Sequence, residues 1–264
     1  MNGLTKKVLF SDGYVQELRI RLDDRIYNAC LVITDFADIS GKDAENTLHP
    51  QELSYYRQLT FPKKAQSYLI GRYAAKYAIS SLLGNINVKY IRIENGFFGQ
   101  PMIVGYPLER GVQVSISHSG LLGAAISFFE DCPTGVDIEV VNAANSSLLY
   151  KTISVREQEL LVLLPIAQEV SLTLLWTAKE ALSKAIRTGF TLDLEILEVK
   201  QIIVADSGYE VNFSHFPHFR VISHHYNDYI FSIAFPYKKD CEYSLTGWND
   251  EKLMVIEGKG GGFV

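Results

Sequence analysis

The sequence predicts an α+β protein made of two similar halves, each an antiparallel sheet packed against a long helix. Three observations lead there. Strand-like runs, a long helical run and further strand-like runs occur in that order twice. A turn-forming Cys132-Pro133-Thr134-Gly135 separates the two series near mid-chain. With 264 residues, 47% apolar and 21% charged, the chain has enough material for a core in each half.

Along the first half, alternation such as Tyr27 to Thr34 predicts strands. A helix is expected from about His49, with Pro50 suited to its first turn. Phe61-Pro62 interrupts it, and a longer helix runs from about Lys64 to Leu83, ended by Gly84-Asn85. Strands are expected at 88–94, 112–117 and 123–129. In the second half, 136–141 reads as a strand, 154–168 as a helix with Pro165 near its end, and 171–187 as a long helix stopped by Gly189. Strands return at 195–204, 210–213, 219–223 and 229–235. The predicted division is 1–132, 133–256 and a glycine-rich flexible tail, 257–264.

Bulk properties narrow the function. A net charge of −5 argues against general nucleic-acid binding. There is no apolar run of signal-peptide length at the start and none near the roughly 18 residues of a membrane span. Cys30, Cys132 and Cys241 are too widely and irregularly spaced for a disulfide framework or a zinc site, so a cytoplasmic protein with reduced thiols is expected. His215, His218, His224 and His225 lack partner ligands and read as surface histidines of loop and strand. From Arg57 to Arg92 there are seven basic residues and no Asp or Glu. That stretch is either a solvated helix face or a site for an anion.

Three motifs carry chemistry. In Gly135-Val136-Asp137-Ile138-Glu139 the strand period places Val136 and Ile138 on one face, Asp137 and Glu139 on the other. With ordinary pKa values of about 3.9 and 4.3, both acids ionise at neutral pH and repel each other. A hard divalent cation such as Mg²⁺ relieves that repulsion, whereas on an open edge strand two solvated acids need no ion. In Trp176-Thr-Ala-Lys179-Glu180-Ala-Leu-Ser-Lys184, helical spacing puts Trp176, Glu180 and Lys184 on one face with Lys179 close by. Glu180 is then either a third carboxylate for the ion or half of a surface pair with Lys184. The third motif is Ser115-Ile-Ser117-His118-Ser119-Gly120, which ends a strand on a histidine facing a cleft; that histidine is catalytic or simply a hydrogen-bonding structural group.

In this order, Ser-His-Ser, Gly-Val-Asp-Ile-Glu and Trp-x-x-Lys-Glu-Ala-x-x-Lys resemble the surfactin-synthetase-type 4′-phosphopantetheinyl transferases, over about half the chain from Arg57 to Gly189. The resemblance implies two pseudo-twofold-related halves with coenzyme A in the cleft between them, and transfer of its phosphopantetheine arm to a serine of an apo acyl or peptidyl carrier protein. It implies Mg²⁺ on Asp137, Glu139 and Glu180, Glu157 as the base for the carrier serine (with Glu159 a nearby competitor), and Lys184 beside the pyrophosphate. His118, Arg57, Lys63, Lys64, Arg72 and Lys179 are implied contacts to coenzyme A. Gln100, in Gly99-Gln100-Pro101, departs from the Lys or Arg usual in the family and predicts a weaker local contact. A monomer without nucleic-acid or membrane partners is expected. The competing readings are a catalytically silent carrier-protein-binding module and an unrelated Mg²⁺ phosphohydrolase.

Overall fold

The computed structural model describes residues 8–10, 13–22, 25–39, 41–104, 111–205, 208–237 and 253–257. Cys241 and residues 258–264 of the expected tail lie outside them.

The first half contributes strands β1 (Val8–Phe10), β2 (Gly13–Leu22) and β3 (Arg25–Asp35), then helices α1 (Gly41–Thr47), α2 (Pro50–Arg57) and α3 (Pro62–Leu82). It continues through β4 (Arg92–Asn95), β5 (Pro101–Val104), β6 (Val112–Ser119) and β7 (Leu122–Phe129). The second half starts with β8 (Gly135–Val140), followed by α4 (Ser146–Tyr150), α5 (Val155–Leu163) and α6 (Gln168–Ala185). Strands β9 (Val199–Ala205), β10 (Gly208–Phe213), β11 (Phe219–Tyr226), β12 (Tyr229–Pro236) and β13 (Leu253–Glu257) complete it.

One sheet has the order β1-β2-β3-β7-β6 and the other β13-β9-β10-β11-β12-β8; β4 and β5 form a separate hairpin. All pairings are antiparallel. Each half runs from a strand (β3 or β8) through short helices and one long helix to a hairpin. The hairpin's last strand, β7 or β12, then pairs back onto that first strand. This is the α+β, two-half architecture the sequence predicts.

The layers are helix, sheet, sheet, helix. Ala74, Ala78 and Ile79 of α3 cover Cys30, Val32 and Ala125 on the outer face of the first sheet. Leu31, Ile126 and Phe128 on its inner face pack against Val136, Ile138, Ile233 and Phe235 of the second. Leu174, Ala178 and Leu182 of α6 cover Val211, Ile230 and Ala234 on that sheet's outer face. Because side chains alternate along a strand, β8 places Val136 and Ile138 between the sheets and turns Asp137 and Glu139 towards α6.

Local signals set the ends of the long helices. Helix α3 stops where Gly84 (φ 83°) and Asn85 (φ 65°) enter the left-handed region, and Arg187 (φ 58°) and Gly189 (φ 53°) do the same after α6. The 154–168 helix is shorter than expected: α5 ends at Leu163 because Pro165 keeps Leu164 extended, and α6 starts at Gln168. The expected strand at 88–94 divides into a 3-10 turn, Val88–Tyr90, and β4. His224 is buried and stacked on Phe231, not a surface group, while His215, His218 and His225 are exposed.

Candidate active site

The site begins with a contact of two sheet edges. β8 pairs with β12 on one side only, which leaves backbone N–H groups facing β6. Serines at alternate positions of β6 meet them. Ser115 Oγ accepts from Val136 N (3.1 Å) and Ser119 Oγ from Val140 N (3.1 Å). Ser117 Oγ donates to Asp137 Oδ1 (2.7 Å), and Ser119 Oγ to Glu139 Oε2 (2.7 Å). Hydroxyls of one half therefore hold the carboxylates of the other. In the sequence only the histidine of this motif stands out; the period-two spacing of Ser115, Ser117 and Ser119 is the signal for the rest. Ser117→Ala leaves a buried carboxylate short of a donor, so a loss of about 1–3 kcal/mol of stability is expected in denaturant titration. Ser117→Thr should recover most of it; equal losses in both variants would show that the hydroxyl is not what matters.

On the opposite wall α6 supplies Glu180 and Lys184. Asp137 is 2% exposed, so the open edge strand with two solvated acids is ruled out. Lys184 Nζ lies 2.6 Å from Asp137 Oδ1. Burial, and then the Asp137 carboxylate, push the Glu180 carboxyl up to about 7. Glu139 is also raised, chiefly by burial. Partial burial, and then the Lys184 ammonium, hold His118 below the usual imidazole range.

Whether these acids suit a divalent cation can be judged from the donors. Asp137 Oδ2 is buried without a hydrogen-bond partner. Two more carboxylates, Glu139 and Glu180, are raised chiefly by burial, with the Asp137 charge adding to both. Hard oxygen donors with one lone pair unclaimed fit Mg²⁺. Among the described residues no three acids, histidines or cysteines are already gathered into a metal cage. In this structure Lys184 supplies the counter-charge at Asp137.

The basic groups separate into those at the site and those elsewhere. Lys64, Arg72 and His118 line one cavity of about 360 Å³ with Tyr55 and Tyr68. Arg72 stacks over the Tyr68 ring (4.9 Å to its centroid). A second cavity, of about 650 Å³, contains Glu180 and Lys184 and is also lined by Gly99, Pro101 and Ile116 of the first. The two are thus adjoining parts of one cleft, with Lys64, Arg72 and His118 in the smaller part and Glu180, Lys184 and Arg187 in the larger.

Arg57 does not reach this cleft: it pairs with Glu45 (2.9 Å) and lines a separate groove. Lys63 is exposed and does not line either cavity. The acid-free stretch 57–92 is partly neutralised by acids just outside it, Glu45 on Arg57, Glu52 on Lys76 and Glu94 on Arg92. Gln100 lines the second cavity, and its Oε1 accepts from Phe98 N (3.0 Å) across the tight turn before β5.

Glu157 and Lys179, expected as a base and a coenzyme A contact, are enclosed away from the cleft. Glu157 is 0% exposed and Lys179 1%, and they bond each other at 2.8 Å. Glu157 Oε1 also accepts from Val199 N (2.9 Å) and Oε2 from Ser154 N (2.8 Å). The structure does not bring this pair to the cleft, because its polar atoms are spent inside the α5–α6–β9 packing. The readable signal was Ser154-x-x-Glu157, a helix-capping box. Glu159 is exposed on α5. Cys30 and Cys132 are buried and free, and burial pushes both thiols up to about 12.

A family model described as "4'-phosphopantetheinyl transferase superfamily" matches residues 133–234, the half that carries all three acids. The holo-[acyl-carrier-protein] synthase of Streptococcus agalactiae serotype III (strain NEM316) is 36% identical over 103 residues, 38% of this chain and 87% of that protein. The chain belongs to the 4′-phosphopantetheinyl transferase superfamily. The corresponding synthase of Lacticaseibacillus casei (strain BL23) is 34% identical over 107 residues, 37% of this chain and 86% of its own. Among solved structures, a holo-(acyl-carrier-protein) synthase from Bacillus anthracis str. Ames, in complex with CoA (3',5'-ADP), is 25% identical and covers 38% of this chain and 91% of that one, with a TM-score of 0.34. The superfamily match therefore accounts for one half of the cleft, and the basic cavity formed with α3 lies outside it.

Proposed function

We propose that this protein is a Mg²⁺-dependent 4′-phosphopantetheinyl transferase. It moves the phosphopantetheine arm of coenzyme A to a serine of an acyl or peptidyl carrier protein and releases adenosine 3′,5′-bisphosphate. The observation that carries this reading is the cleft itself. Glu180 and Lys184, which face Asp137, line a cavity that adjoins one lined by Lys64, Arg72 and His118, in a chain of which 103 residues are 36% identical to a holo-[acyl-carrier-protein] synthase.

Asp137, Glu139 and Glu180 would hold the ion. When bound, Mg²⁺ neutralises pyrophosphate charge and favours in-line attack at phosphorus. Lys184, one turn from Glu180, neutralises the leaving phosphate as the serine oxygen bonds to phosphorus and the anhydride P–O bond breaks. Lys64, Arg72 and His118 hold the remaining phosphate charge of coenzyme A. The serine proton leaves to a base other than the enclosed Glu157. The surfactin-type assignment, a monomeric state and a cytoplasmic location belong to the same proposal, supported by two halves in one chain and by buried, free thiols. Among the described residues no helix is long and apolar enough to cross a membrane.

Intact-protein mass spectrometry of apo carrier proteins incubated with this protein, coenzyme A and Mg²⁺ tests the proposal. A gain of one phosphopantetheinyl mass, abolished by chelation, is the expected result. Coenzyme A binding without any mass gain would favour the silent carrier-binding module, and phosphate release without protein modification a phosphohydrolase.

A further inference from the structure

The buried Glu157–Lys179 pair has a counterpart in the other half. In the second half, Glu157 is the third residue of a capping box started by Ser154. Its Oε1 accepts from Val199 N on the first strand after α6. Its partner Lys179, on the long helix, also donates to the Thr152 carbonyl (3.4 Å). In the first half, Glu52 is the third residue of a capping box started by His49. Its Oε1 accepts from Ile93 N (2.9 Å) on the first strand after α3. Its partner Lys76, on the long helix and 0% exposed, lies 2.5 Å from Glu52 Oε2 and donates to the Thr47 carbonyl (2.9 Å). Five positions thus correspond: Thr47 with Thr152, His49 with Ser154, Glu52 with Glu157, Lys76 with Lys179 and Ile93 with Val199.

The acids do not correspond. Ser127 on β7 and Ser232 on β12, both fully buried, stand opposite Cys30 and Asp137. That alignment sets Cys30 and Val32 against Asp137 and Glu139, and Tyr77, next to Lys76, against Glu180. A glutamate–lysine pair kept in both halves while the carboxylates occur in one does not owe its place to transfer chemistry.

We propose that Glu157–Lys179 and Glu52–Lys76 are two copies of one positioning clamp, each tying a short capped helix and the following strand to a long helix. In the second half the clamp sets the rotation of α6, and so the direction of Glu180, the next residue after Lys179. In the first half Glu52 also lies 3.7 Å from Arg72 Nε and so aims a side chain of the basic cavity. The functional consequence rests on the transferase reading above; the clamp itself does not.

The test uses Glu157→Gln and Glu52→Gln in the full chain, read by hydrogen exchange, thermal melting and transfer kinetics. Faster exchange is expected around Val199 in Glu157→Gln and around Ile93 in Glu52→Gln, with lowered melting temperatures in both. At a temperature where both remain folded, Glu157→Gln should lower kcat by no more than about tenfold and keep the shape of the wild-type pH profile. Glu52→Gln should act mainly on the KM for coenzyme A. Loss of the acidic limb of the profile with kcat down by about 10²–10⁴-fold in Glu157→Gln, at wild-type melting and exchange, would identify a general base and overturn the clamp. Unchanged exchange at both sites would also overturn it. Absence of transfer by the wild-type protein would count against the function alone, since the exchange data stand apart from activity. Should Glu157→Gln not fold, Lys179→Met, which removes the other end of the pair, is read in the same way.

Discussion

Glu180→Gln is expected to abolish carrier modification and at the same time to make the metal-free protein more stable at pH 8. The second effect follows from the raised pKa. Burial, with the Asp137 carboxylate adding to it, moves Glu180 from 4.5 to about 7. The folded state therefore binds this proton more tightly than the unfolded chain does. The stability associated with it is complete below about pH 4.5 and is lost as pH rises through about 7. Glutamine carries no proton to lose and keeps nearly the same shape, so the variant should show a flatter melting temperature across that window. Glu139 titrates with the same sign and His118 with the opposite one, which is why the difference between wild type and variant isolates Glu180.

On the proposed reading Mg²⁺ competes with that proton. It should raise the melting temperature of the wild type more at pH 8 than at pH 6 and leave the variant nearly unmoved, with transfer reduced at least about a hundredfold. Equal Mg²⁺-induced shifts in the two proteins would remove Glu180 from the ion site.

Gly135→Ala is the second substitution with a large expected effect. A Cβ at this position would lie 2.1 Å from the Ala181 carbonyl oxygen and 2.6 Å from the Ala185 backbone nitrogen. Both obstacles are helix backbone, which cannot rotate away as a side chain can, so α6 must retreat from β8. A cost of about 1–3 kcal/mol or more follows from such overpacking. The same displacement separates Glu180 from Asp137 and Glu139, so Mg²⁺ stabilisation should be lost even under conditions where the variant folds. Chemical denaturation with and without Mg²⁺ measures both. A variant with wild-type stability and metal response would show that the close approach of strand and helix is dispensable.

Gly135 also marks a boundary of what could be read in advance. In the sequence it follows Cys-Pro-Thr and is the natural end of a turn. In the structure it is the first residue of β8, and its lack of a side chain serves helix packing. No local pattern separates those two uses, because the reason for the glycine is a helix some 45 residues further on. The capped starts of α2 and α5 are different: each is contained within four consecutive residues, and Ser154-x-x-Glu157 was readable without a structure.

From near neighbours alone the sequence set the faces of its strands and helices and the ends of the two long helices. The strand period put Asp137 and Glu139 on one face, and the helical period put Glu180 one turn from Lys184. Gly84 and Gly189 stopped the long helices where they stand. Tertiary structure decided what each charge meets. Arg57 and Lys76, part of one basic stretch on paper, found acids 12 and 24 residues earlier in the chain (Glu45 and Glu52). Lys179 found Glu157 while the adjacent Glu180 turned to the cleft. The serines of β6 reached acids about 20 residues on only because two sheet edges lie side by side. Periodicity assigns a side chain to a face of its own strand or helix. What lies opposite that face is fixed by packing among elements distant in sequence, and there charges are paired, buried or left free for a ligand.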